Sequence, residues 1–166
     1  MTNVQQVNIE AITSVLQAES IDSLSMKQIY ELFLKESSLS NYKPESIFQI
    51  DPRNGELIVY NSSRASRPNV ISNGNAQQIP IIENCPICVG NTTGIMDVTK
   101  LSEGFTFINK NMFPIFFPYE EDPQNTLGSL SFGLHFLQWS SSIHHKDWHN
   151  MPLKDLVIVF SRLAAL

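Results

Sequence analysis

Residues 129–139 read SLSFGLHFLQW, and the reading of this stretch decides the fold. Leu130, Phe132, Leu134 and Phe136 alternate onto one face, and His135, Leu137 and Trp139 fall on the other. Alternation with period two marks a β-strand. Because both faces are largely apolar, the stretch predicts one long strand near the centre of a sheet. A polar loop, SSSIHHKDWHN, follows it. Leu153, Leu156, Val157, Phe160, Leu163 and Ala164 then recur at helical spacing behind Pro152. This final helix is expected to pack its apolar stripe on the sheet. No Gly, Asn or Pro follows Leu163, so the helix lacks a stop signal and the chain is expected to be part of a longer protein.

Upstream, FTFIN (105–109) reads as a second strand, followed by the proline-broken MFPIFFP and the turn EEDPQN. SIFQI and ELIVY flank DPRNG, so two β-rich runs around a Pro and an Asn-Gly turn predict a hairpin. The first forty residues look helical. Ser25 and Gln28 form a capping box, and Met26, Ile29, Tyr30, Phe33 and Leu34 then share one face. An earlier, weaker helix carries Ile9, Ile12 and Leu16. Residues 61–84 are mostly Ser, Asn, Arg, Gln and Pro and read as a long loop. There are no internal repeats. The expected class is α+β, an antiparallel sheet with flanking helices.

The chain has 166 residues, 42% hydrophobic and 16% charged, which is a globular composition for one domain with a real core. Net charge is −5 with only 11 Lys and Arg, so bulk nucleic acid is not an expected partner. Neither a signal peptide nor an apolar run of membrane-spanning length is visible, and the chain is read as cytoplasmic. Asn61 and Asn91 fit the glycosylation pattern but carry no meaning in that compartment.

The chemistry-bearing residues fall in a few clusters. Both cysteines lie in IIENCPICVGNTTG (81–94). Two thiolates at this spacing, Cys85 and Cys88, can grip one tetrahedral ion, and Zn²⁺ is the usual choice. A redox pair needs a helix start to lower the first thiol, and VGNTTGIMD is turn-like. A pair of buried, unligated cysteines is the bland alternative. A Zn²⁺ site needs further ligands, and His144, His145 and His149 cluster in the polar loop. They read equally as exposed loop histidines. Arg64 and Arg67 in SSRASRPN could fork onto a pyrophosphate, or be solvated surface residues. Asn109, at the end of FTFIN, could read a base edge or a ribose hydroxyl, or simply form a turn. No Ser-His-Asp arrangement, glycine-rich phosphate loop or paired-acid motif stands out.

The order of these clusters is more specific than any one of them. SSRASRP, CPICVGN, FTFINKNMFP and FLQWSSSIHHKDW, followed by an amphipathic helix, resemble the galactose-1-phosphate uridylyltransferase family of the histidine-triad superfamily. The resemblance covers roughly residues 57–166. It implies a division into an N-terminal helical segment, 1–44, and the N-terminal part of a nucleotidyltransferase-like domain, 45–166. It also implies that Cys85, Cys88 and His144 are zinc ligands, with the fourth beyond Leu166. By the same resemblance Arg64 and Arg67 contact phosphates and Asn109 helps hold the nucleotide. The implied partner is a nucleotide or nucleotide sugar, with no membrane, and a homodimer is an open assembly state. The implied chemistry is ping-pong transfer through a nucleotidyl-histidine. Two positions depart from the family pattern: Lys110 stands where an acid is usual, and Pro86 where an aromatic is common. The His-Pro-His motif of the nucleophile is absent from these residues. A non-catalytic, zinc-stapled module binding a nucleotide or a protein is the competing class.

Overall fold

A computed structural model describes residues 9–40, 46–61, 87, 90–118, 129–130 and 132–166. The expected α+β class holds: helices flank two antiparallel sheets. Helix α1 spans Ile9–Thr13, α2 Met26–Leu34, α3 Ser37–Ser40 and α4 Leu153–Ala164, with a 3₁₀ turn at Ile21–Ser23. The strands are β1 (Ser46–Ile50), β2 (Leu57–Asn61), β3 (Ile95–Lys100), β4 (Phe105–Lys110), β5 (Ser129–Leu130) and β6 (Phe136–Trp139).

Local chemistry accounts for several of these elements. Helix α2 starts at the expected capping box: Ser25 Oγ accepts from Gln28 N–H at 3.3 Å, and Gln28 Oε1 accepts from Ser25 N–H at 2.8 Å. The hairpin pairs β1 with β2 in the register Ile47↔Tyr60 and Gln49↔Ile58. Its turn closes because Asp51 accepts from Arg53 N–H at 2.9 Å and Gly55 takes φ +74, where a side chain would be strained.

The central strand of the larger sheet, β3-β4-β6, is β4, and all six of its residues are buried. The outer edge of β3 is covered by residues 15–19. Ile95 N–H donates to Val15 O at 2.8 Å, Gln17 N–H to Ile95 O at 2.7 Å and Val98 N–H to Glu19 O at 3.0 Å. An edge covered this way offers no free ladder to a second chain. The N-terminal segment also supplies core. Ile21, Ile29, Phe33 and Leu39 pack with Met96 and Phe117, and Ile12 packs with Ile95, Phe105 and Phe107.

The stretch 129–139 is not the single central strand expected from its alternation. Ser129–Leu130 pairs with β1 in one sheet, and Phe136–Trp139 pairs with β4 in the other. Each piece lies at the end of its sheet among the described residues. Residues 132–135 run against 111–117, where Asn111 N–H donates to His135 O at 2.8 Å and Ile115 N–H to His135 Nδ1 at 3.0 Å. Pro114 and Pro118 deny that neighbour a continuous ladder, so the strand breaks opposite them. The apolar alternation persists through the break, which is why the sequence pattern hides it.

Helix α4 forms where expected but is rolled away from the expected stripe. Leu153 is 77% exposed and Val157 58%, whereas Asp155 and Val159 are buried at 3% and 2%. Leu156 and Ile158 pack beside Leu101, Met151 and Val159. Residues 155, 159 and 162 lie on one helical face. On that face Asp155 Oδ1 accepts from Ser102 N–H at 3.0 Å and Ser102 Oγ at 2.7 Å. Arg162 Nε donates to Asp97 Oδ1 at 3.0 Å, Nη2 also binds Asp97 Oδ2, and Nη1 reaches Asp22 at 2.7 Å. Asp97 is fully buried and also accepts from Ile21 N–H at 2.9 Å.

Arg162→Met should therefore destabilise the fold by about 3–5 kcal/mol, because it strands a buried carboxylate. Asp22→Asn, at the exposed end of the same network, should cost under about 1 kcal/mol. Urea denaturation of the two variants checks the difference, and equal losses would contradict it.

Candidate functional site

The motif segments that the sequence separates meet at the C-terminal end of β4. Asn109 closes that strand's apolar run and is only 3% exposed. Trp139 of β6 donates Nε1–H to its Oδ1 at 3.0 Å. Indole is a donor only, so this bond fixes which end of the carboxamide is oxygen. The nitrogen then faces Thr92 Oγ1 at 2.5 Å and Thr93 Oγ1 at 3.0 Å. Thr93 Oγ1 in turn donates to Lys110 O. Both amide hydrogens of Asn109 are thus spent on the GNTT segment that follows the cysteines. Ile87, between the two cysteines, packs against the cluster of Ile12, Ile95, Phe105 and Phe107, as does Trp139. Gly90 N–H donates to Ile87 O at 3.0 Å.

Behind Asn109 lies a second buried polar group. Lys110 is fully buried, and its ammonium has one acceptor for each hydrogen: Glu36 Oε2 at 2.7 Å, Gln17 Oε1 at 2.7 Å and Leu32 O at 2.8 Å. Leu32 O is one of the last carbonyls of α2, where the helix dipole favours a cation. The Phe33 ring centroid lies 5.8 Å away. Glu36 also accepts from Gly94 N–H at 2.9 Å and Ser38 Oγ at 2.8 Å. A Cβ on Gly94 would lie 2.2 Å from the Gln17 amide, so a larger residue there would have to displace the group that accepts from Lys110. Burial lowers the Lys110 ammonium below its ordinary value, and Glu36 recovers only part of that. Burial pushes the Glu36 carboxyl up, but the Lys110 ammonium and the Gly94 and Ser38 donors together outweigh it and leave it below 4.5.

Of the residues expected at the site, Asn109 and His144 lie among those described, and Arg64, Arg67, Cys85 and Cys88 lie outside them. Pro86 and the 62–84 loop are also outside. His144 is exposed, its ring edge-on to His145 with centroids 5.4 Å apart. His145 and His149 are exposed in the same loop. Among the described residues no three His, Cys, Asp or Glu side chains converge on a metal position. Two thiolates and an imidazole remain a donor set of the kind Zn²⁺ takes.

Sequence reasoning missed Thr92, Thr93 and Trp139 as partners of Asn109, and Glu36 and Gln17 as partners of Lys110. One signal was available: a lysine directly after FTFIN, a strand of buried character, calls for an acid somewhere in the chain. Nothing local indicates that Glu36 is that acid.

Comparison with family models, with curated proteins and with solved structures gives no match. No helix among the described residues is long and apolar enough to cross a membrane.

Glu36→Gln should cost about 3–5 kcal/mol at neutral pH, since it leaves a buried ammonium short of its counter-charge. The depressed Glu36 carboxyl contributes stability above its ordinary value of 4.5, and that part is lost as pH falls through the folded-state value. Wild type should therefore lose stability between pH 6 and pH 3 more steeply than Glu36→Gln. Parallel pH profiles from thermal denaturation would contradict this.

Proposed function

We propose that the chain binds a nucleotide or nucleotide sugar as part of a cytoplasmic nucleotidyltransferase of the galactose-1-phosphate uridylyltransferase type. The observation that supports this most is the meeting of separate motif segments. The GNTT segment after the cysteines, the asparagine next to the end of β4 and the strand leading to His144 are joined through Asn109 and Trp139. In this reading Arg64 and Arg67 offset phosphate charge. Asn109 helps hold the nucleotide, chiefly by fixing the 92–93 wall beside it. Cys85, Cys88 and His144 would hold a structural Zn²⁺, which would staple the cysteine turn to the strand-to-helix corner. The nucleophilic histidine lies outside these residues, so they bind and orient but do not complete a transfer.

One observation favours the second reading, a zinc-stapled module that binds without catalysis. The carboxamide of Asn109 and the ammonium of Lys110 are both committed to partners within the fold. A histidine motif in the parent gene downstream of Leu166 separates the two readings.

Titration calorimetry of the full chain with uridine and adenosine diphosphates tests the binding. Arg64→Ala and Arg67→Ala should each weaken it by about 1–3 kcal/mol, the scale of a hydrogen bond to a charged group. Freshly purified protein should carry one zinc per chain, lost in Cys85→Ser. Absence of nucleotide binding, or binding unaffected by Arg67→Ala, would overturn the nucleotide reading. Absence of zinc would overturn the staple.

A further inference from the structure

One carboxylate oxygen reaches both strands that carry the wall. Glu36 Oε2 accepts from Gly94 N–H at 2.9 Å and from the Lys110 ammonium at 2.7 Å. Gly94 is the residue after Thr93, and Lys110 is the residue after Asn109. Thr93 and Asn109 are themselves joined, with Asn109 Nδ2 donating to Thr93 Oγ1 at 3.0 Å. The Thr93 hydroxyl then donates to Lys110 O. Lys110 is thus gripped at both ends, by Thr93 on its carbonyl and by Glu36 on its ammonium. The second oxygen of Glu36 accepts from Ser38 Oγ at 2.8 Å, and its side chain is only 11% exposed. The other two acceptors of Lys110, Gln17 Oε1 and Leu32 O, also come from the N-terminal segment. Every acceptor of this ammonium therefore lies in a part of the chain that the motif resemblance does not reach.

We propose that Glu36 is a positioning residue for the wall of Thr92, Thr93 and Asn109, so that the N-terminal segment sets how well this wall receives a nucleotide. The consequence for a nucleotide rests on the reading given above, and the consequence for the wall rests on geometry alone. An ammonium with no exposure cannot turn to water for a replacement acceptor. When Glu36 loses its charge or its reach, Lys110 shifts to recover an acceptor. Its carbonyl shifts with it, and that carbonyl orients the Thr93 hydroxyl on which Asn109 rests.

The wall has a built-in reporter. Trp139 Nε1–H donates to Asn109 Oδ1 at 3.0 Å, and the only other tryptophan is the exposed Trp148. If Glu36 served stability alone, that bond would not change in its folded variants. Trp139 is held independently by its pairing with Phe107 in the ladder and by the stack of the two rings, with centroids 6.0 Å apart.

Proton–nitrogen correlation spectra of the full chain at neutral pH test this, with the two indole signals assigned by Trp148→Phe. Glu36→Gln should shift the Trp139 indole signal and leave that of Trp148 in place. Val159→Ala is the control for lost stability, since it opens a cavity in the separate cluster of Leu101, Met151 and Val159. It should move neither signal. Should Glu36→Gln fail to fold, Glu36→Asp keeps the charge on a shorter side chain and should shift the Trp139 signal in the same way. Calorimetry with uridine and adenosine diphosphates should show binding weakened at least about fivefold by the Glu36 variant and unchanged by Val159→Ala. A Trp139 signal unmoved in the folded Glu36 variant, or moved equally by Val159→Ala, would overturn the proposal. So would a shifted signal with unaltered affinity. A wild type that binds neither diphosphate would defeat the nucleotide reading and with it the effect on affinity, while the indole comparison still decides whether Glu36 positions the wall.

Discussion

The carboxylate of Asp97 sits in β3 with no exposure to solvent, and an ion placed there must be met by another. Arg162 meets it from the far end of the chain, and Ile21 N–H meets it from the near end. One buried charge therefore joins the N-terminal 3₁₀ turn, the larger sheet and the final helix. Asp97 and Asp22 both hold the Arg162 guanidinium further above its ordinary value, in keeping with a cation shared between two acids. The pair is weak evidence of stability by itself, but it strongly specifies arrangement. It decides which face of α4 looks inward, and so which face looks out.

The second buried pair works the same way around the site. Lys110 follows Asn109 in β4, and its acid comes from Glu36, just beyond α2. The N-terminal segment is thus bound to the sheet by edge pairing, by apolar packing and by two buried ions. The wall that Asn109 builds with Thr92 and Thr93 stands directly against this network through the Thr93 hydroxyl on Lys110 O. A disturbance in the helices that matched no recognised motif is therefore expected to reach the residues that did.

Much of this was legible from local chemistry. The Ser25–Gln28 box, the DPRNG turn and the strand FTFIN each depend on neighbours within a few residues, and each appears as read. The roll of α4 was not legible, because hydrophobic spacing points to the stripe 153–157–160. Two charged residues on the opposite face have partners 53 and 65 positions away. The break in 129–139 was hidden for a similar reason. Its own pattern is unbroken, and the cause lies in the prolines of the segment it runs beside. At the site, Asn109 was picked out by its place at a strand end, while its partners Thr92, Thr93 and Trp139 were visible only in three dimensions.

The central claim is that buried charge, not apolar spacing, sets the orientation of the last helix. Thiol accessibility measures that orientation directly. Val157→Cys and Val159→Cys, labelled with a maleimide in dilute solution and read by peptide mass spectrometry, place one thiol on each face. The account predicts labelling at position 157 at least about tenfold faster than at 159, with the difference reduced when Arg162→Met is added. Faster labelling at 159 than at 157 in the otherwise unaltered chain would contradict it.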